Sequence, residues 1–140
     1  MVQIPEEVIR LLIRNDNVAL IGSVDKAGVP NISPRFVLGI VGDNNQLLFA
    51  DLYENKTFSN LTAWNKVTAS VIDKDTMGGY QLKGEASEVV DGELVSLANS
   101  KLQEHGFGAK PHRVWVLDVK EIFSSKPSGD SKSPLISAYG

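Results

Sequence analysis

Two cations stand where a fold would use them. Arg35 lies in the run Ser33-Pro34-Arg35-Phe36-Val37-Leu38-Gly39, and Lys56 opens Lys56-Thr57-Phe58-Ser59-Asn60-Leu61. Arg35 is embedded among apolar residues, and a buried arginine is rare unless paired. It needs an acid, with Asp51 and Glu54 as candidates, or an anionic ligand. Lys56 falls at the start of a helical pattern, where the positive end of the macrodipole makes a cation mildly unfavourable. Backbone N–H groups at such an end, with Lys56, the Thr57 hydroxyl, and Asn55 and Asn60 as further donors, suit a phosphate. A phosphomonoester carries about 1.5 to 2 negative charges near neutral pH. Arginine meets it as a planar fork and lysine as a point charge. The plainer reading is also open: Asn55 or Thr57 caps the helix, Lys56 is solvated, and Arg35 pairs with an acid.

Other chemistries find little support. The 140 residues include no cysteine, so there is no disulfide, thiolate nucleophile or cysteine-built zinc site. The two histidines, His105 and His112, bracket Gly-Phe-Gly-Ala-Lys-Pro and are expected to be solvent-exposed rather than metal ligands. Asp91-Gly92-Glu93 reads as a helix start, because the alternating oxygen ligands of a calcium loop are absent. The net charge of -3 argues against a general nucleic-acid binder. Apolar residues at 42% and charged residues at 22% describe an ordinary globular chain. No apolar run is long enough to cross a membrane, and Glu6 and Glu7 are foreign to a signal peptide. The expected location is cytoplasmic.

The elements that must position these residues follow from periodicity. Pro5-Glu6-Glu7 opens a helix over 5–14 with Val8, Leu11 and Leu12 on one face, ending at Asn15-Asp16-Asn17. Strands are expected at 18–25 and 29–41, joined by the turn Asp25-Lys26-Ala27-Gly28 with glycine in the left-handed position. Pro34 marks the second of them as an edge, a bulge or a ligand approach. A strand at 46–51 precedes the Lys56 helix, which turns Phe58, Leu61 and Trp64 (or Ala63) inward. Strands at 67–73 and 80–90 follow, with a bend at Gly84. A helix over 93–105 carries Leu94, Leu97, Ala98 and Leu102, and a last strand covers 113–125. Six strands with early hairpins and only three short helices imply a mainly β fold, an antiparallel barrel with peripheral helices. Residues 1–125 form one domain in this reading. The tail 126–140 is polar, but Pro-Leu-Ile-Ser-Ala-Tyr near its end is apolar enough to dock.

The ordered set of stretches at 21–40, 47–61, 65–71 and 79–89 resembles the FMN-binding split-barrel family, that of pyridoxamine 5′-phosphate oxidase, and above all its small single-domain members. The resemblance implies a six-stranded split barrel, FMN as cofactor, and a homodimer with flavin sites at the interface. It implies that Arg35 and Lys56 hold the phosphate, with Ser33, Pro34, Thr57 and Asn60 nearby. Phe36, Val37 and Leu38 would face the flavin ring, and Ala50 and Asp51 would run beside the ribityl chain. Trp115 and the C-terminal tail are candidates for reaching the flavin of the partner subunit. Trp64 is read as core packing and Lys83 as a surface lysine.

Two departures limit what carries over. Asn55 stands where the oxidase has an arginine before the lysine, and the tail lacks the arginine-rich segment that binds the vitamin substrate. Vitamin B6 oxidase activity is therefore not expected. The expected function is a flavin-dependent oxidoreductase acting on a small molecule or accepting electrons from a donor such as reduced nicotinamide. The rivals are a non-catalytic flavin carrier or sensor, a relative binding deazaflavin or haem, and a barrel without a ligand.

Overall fold

The structure is a computed structural model that describes residues 2–14, 16–53, 55–108, 110–125 and 132–139. Helix α1 spans Glu6–Leu12 and buries Val8, Leu11 and Leu12, the face read from the sequence. It is shorter than the predicted 5–14, and Asn15, where it was expected to stop, lies outside the described residues. Strands β1 (Ala19–Val24) and β2 (Pro30–Arg35) form a hairpin. Its turn is fixed by Asp25, whose Oδ1 accepts from the Ala27 and Val29 N–H groups at 2.9 Å each. Gly28 takes φ +83°, the left-handed conformation that glycine adopts without penalty.

The predicted strand over 29–41 is two strands. It breaks after Arg35, and β3 (Gly39–Val41) pairs with β4 (Gln46–Asp51) rather than with β1. The remaining elements are α2 (Lys56–Ala63), β5 (Lys66–Asp73), β6 (Gly78–Glu88), α3 (Gly92–Glu104), β7 (Arg113–Ser124) and β8 (Ile136–Ser137). The sheet order is β2-β1-β5-β6-β7-β4-β3, and β8 adds to β7. β2 and β3 are thus the two ends of one antiparallel sheet, joined directly by Phe36-Val37-Leu38. That short link brings the ends together, and the result is a split barrel. Pro34 sits on an end strand, where its missing donor costs no ladder bond.

The pleat explains the core. On β4 and β7, Leu47, Phe49, Trp115, Leu117 and Val119 point into the barrel with α1, α2 and β5. The alternate residues Leu48, Ala50, Val114 and Val116 form a second layer with Leu38 and with Ala98 and Leu102 of α3. These two strands are therefore buried on both faces. Register shifts between Lys83 and Gly84, the predicted bulge. A Cβ on Gly84 would lie 1.9 Å from the Asp118 carbonyl oxygen, so only glycine fits that approach. The apolar tail end docks as β8, with the Leu135 N–H donating to Ile122 O and the Ala138 N–H to Lys120 O. The stretch 126–131 lies outside the described residues.

Candidate functional site

The site is built at the barrel seam. Arg35 ends β2 and Asp51 ends β4, and their side chains close the gap between those strands. Arg35 Nε and Nη2 donate to Asp51 Oδ1 at 3.0 and 2.7 Å, and Nη1 donates to Pro34 O at 2.7 Å. The other carboxylate oxygen, Oδ2, accepts from Trp115 Nε1 at 2.8 Å. Asp51 is fully buried and the Arg35 side chain is 13% exposed. A lone carboxylate here would be very costly; a charged fork and an indole N–H compensate it. Of the two acids named from the sequence, Asp51 is the partner of Arg35; Glu54 lies outside the described residues. Each terminal guanidinium nitrogen carries a second N–H that these bonds do not use.

Helix α2 begins as its sequence requires. Asn55 is the N-cap, its Oδ1 accepting from Phe58 N–H at 2.9 Å. Lys56 Nζ lies 3.4 Å from Asp25 Oδ2 on the β1–β2 turn. Thr57 is buried, its Oγ1 accepting from Asn31 Nδ2 at 3.0 Å and sharing a 2.5 Å hydrogen bond with Ser33 Oγ. Asn60, one helical turn on and also buried, donates to Ser23 Oγ at 3.1 Å. Thr57 and Asn60 therefore form a polar seam that fixes α2 against the β1–β2 hairpin. Phe58 and Leu61 enter the barrel core on another face of the helix.

Beside this seam lies a cleft of about 360 Å³ lined by Val18, Pro34, Arg35, Phe36, Leu38, Ala50, Leu52, Tyr53, Asn55, Leu102 and Phe107. Its volume lies within the range of small-molecule sites, and its wall is largely apolar with a few polar groups, as such sites usually are. Of the residues singled out from the sequence, Pro34, Arg35, Phe36, Leu38 and Ala50 meet on this wall, with the Asn55 cap. Val37 packs against the barrel core instead. Asp51 and Trp115 do not line the cleft but hold its Arg35 in the hydrogen bonds just described, and Ser33, Thr57 and Asn60 belong instead to the contact of α2 with the β1–β2 hairpin. Lys56 adjoins the cleft in sequence, but its ammonium is on Asp25.

Two expectations are corrected. Trp64 is not core: α2 ends at Ala63, the C-cap residue Trp64 turns to extended backbone, and its side chain is 54% exposed. His105 is not simply solvated: its ring stacks on Phe36 with centroids 4.0 Å apart and planes 13° apart. Phe107 tilts against the same Phe36 ring at 5.7 Å. The end of α3 thus supplies an aromatic side to the cleft that sequence reading missed. The signal was the phenylalanine between Gly106 and Gly108, which looked like loop chemistry alone. Among the described residues, no group of three or more His, Cys, Asp or Glu side chains is placed to hold a metal. No helix of the described residues is long and apolar enough to cross a membrane.

With this geometry in place, residues 5–126 match the family model described as pyridoxamine 5′-phosphate oxidase. The chain belongs to that family. Among solved structures it is similar to HupZ of Group A Streptococcus, at 24% identity and TM-score 0.76, covering 91% of this chain and 98% of that one. It is similar to an FMN-binding protein from Syntrophomonas wolfei subsp. wolfei, at 23% identity and TM-score 0.74, covering 89% and 87%. A structure named F420 reductase matches at 18% identity and TM-score 0.67, covering 85% and 98%. At these identities the likeness establishes a shared split-barrel fold. No curated protein sequence gives a significant match.

Proposed function

We propose that the chain binds FMN in the seam cleft and acts as a flavin-dependent oxidoreductase on a small molecule. The observation that carries this reading is the convergence of Pro34, Arg35, Phe36, Leu38, Ala50 and Asn55 on one largely apolar cleft. These residues come from separate segments, and the family resemblance marks the same segments for flavin. The residues present suit such a group. Phe36, Leu38, Ala50 and Phe107 offer apolar walls to a ring. Arg35 and the start of α2 offer N–H donors and positive charge to a phosphate. Bound flavin would supply the redox chemistry, and the protein's part is to bind, orient and exclude water.

A homodimer accompanies this reading. It is supported by exposed apolar side chains around the β1–β2 hairpin, Val29 at 56% and Ile32 at 69%. Light scattering on the eluting protein tests it, with a mass twice that of the chain expected. A cytoplasmic location completes the proposal.

Lys56→Ala tests the phosphate role. It should weaken FMN binding by about 10–100-fold for one charged hydrogen bond and leave riboflavin, which lacks the phosphate, far less affected. Equal loss for both ligands would sink that role. Oxidation of reduced nicotinamide by the flavin-loaded protein separates an enzyme from a carrier. A second reading, a deazaflavin ligand in the same cleft, is supported by the likeness to F420 reductase. Competition between the two cofactors for the cleft decides between them.

A further inference from the structure

Both cations of the proposed phosphate site are already held by carboxylates of the same chain, but unequally. The Arg35–Asp51 pair is nearly closed to water, with side chains 13% and 0% exposed. The Lys56–Asp25 pair is open, with side chains 57% and 23% exposed and a separation of 3.4 Å. Parting the first pair would strand a buried carboxylate beneath Trp115, which is strongly unfavourable. Parting the second loses little, because water and salt already screen it. An arriving phosphoryl group therefore finds its exchangeable counter-charge on Lys56. Arg35 stays locked and offers only its remaining N–H groups.

Asp25 is a fixed partner rather than a passing one. Its Oδ1 is committed to the Ala27 and Val29 N–H groups, which leaves Oδ2 facing Lys56. The backbone N–H of Val29 above all, then that of Ala27 and the Lys56 ammonium, hold its carboxyl below the usual carboxylate range. It therefore remains an anion throughout the neutral range. The turn sets this anion against a lysine that is one residue from Asn55 on the cleft wall.

We propose that Asp25 is a specificity-determining residue, a built-in competitor for Lys56 that weakens the preference of the cleft for a phosphorylated ligand over its unphosphorylated form. The proposal rests on the reading of the cleft as a flavin site. A ligand bearing a phosphoryl group must displace Asp25 from Lys56. A ligand without one leaves the pair intact and is indifferent to it.

Asp25→Asn keeps a carbonyl oxygen for the two turn N–H groups and removes the charge. Asp25→Ser, whose hydroxyl can accept the same bonds, is the second variant should the first fail to fold. FMN and riboflavin are titrated against each protein by quenching of flavin fluorescence. FMN should bind the variants about two- to fivefold tighter, the effect expected of an exposed ion pair. Riboflavin should bind all of them alike, and the gain for FMN should vanish when Lys56→Ala is also present. Unchanged FMN affinity, equal tightening of both ligands, or a gain that survives Lys56→Ala overturns the competitor role. If riboflavin and FMN both fail to bind the unaltered protein, the flavin reading itself falls and the proposal falls with it.

Discussion

The seam cleft and the outer face of the sheet make an instructive pair. The outer face holds the larger hollow, about 740 Å³, across β1, β2, β5, β6 and β7. Its wall carries Thr68, Ser70, Gln81 and three lysines. Lys66 lies against Glu85 across the β5–β6 ladder, Lys120 against Asp118, and Lys83 over the Phe123 ring. These charges are exposed and exchangeable. The seam cleft has half the volume, a largely apolar wall and one ion pair almost removed from water. Size does not separate the two regions; a largely apolar wall with an aromatic side and a locked charge does. The seam is made rigid by burial, whereas the outer face keeps its charges only by weak, solvated contacts.

Breaking one pair in each region is the sharpest test of that difference. Asp51→Ala removes the partner of a buried arginine and of the Trp115 N–H, and should cost about 3–5 kcal/mol of stability. Glu85→Ala, on the outer face, should leave stability nearly unchanged, because the pair is already screened by water. Urea unfolding of both variants checks the contrast, and similar losses would erase it. Gly84→Ala tests the outer face in another way. There the added Cβ meets Asp118 backbone 1.9 Å away, and overpacking should cost about 1–3 kcal/mol, where no charge is touched.

A smaller effect is expected at the cleft wall. Phe36→Ala removes a ring that His105 and Phe107 hold in place, and flavin affinity should fall about two- to tenfold, the worth of one aromatic contact. Titration with FMN checks it. The smallest effect concerns pH on the outer face. The Lys66 ammonium, by hydrogen bond and by charge, lowers the Glu85 carboxyl from its ordinary range. A depressed folded pKa means that the stabilisation is complete above the unfolded value, about 4.3, and is lost as pH falls through the folded one. Glu85→Gln should therefore flatten a slight fall in thermal midpoint below about pH 4.

The sequence carried much of this. The turn at Gly28, the bulge at Gly84, the apolar stripe of α3 and the start of α2 each rest on local chemistry that the surrounding fold does not override. Pro34 correctly marked an end strand. What was not legible depended on contacts distant along the chain. Apolar periodicity runs unbroken from Val29 to Val41, and only the barrel seam decides that β2 and β3 take different neighbours. Trp64 fits the helical stripe, but the helix stops one residue before it. Arg35 announced a need for an anion, yet the choice of Asp51 over a ligand is a matter of tertiary geometry. His105 and Phe107 meet Phe36 from a distant part of the chain, and the phenylalanine between Gly106 and Gly108 is the one local hint of it.

Flavin bound in the proposed seam cleft would leave a direct optical signature. The most direct measurement is the visible absorption spectrum of the purified protein, before and after addition of FMN, with mass analysis of what denaturation releases. The expected result is a yellow protein that releases FMN, or a colourless one that turns yellow by taking up FMN. A protein that neither carries nor takes up flavin, whether it is colourless or coloured by haem or deazaflavin instead, overturns the flavin reading.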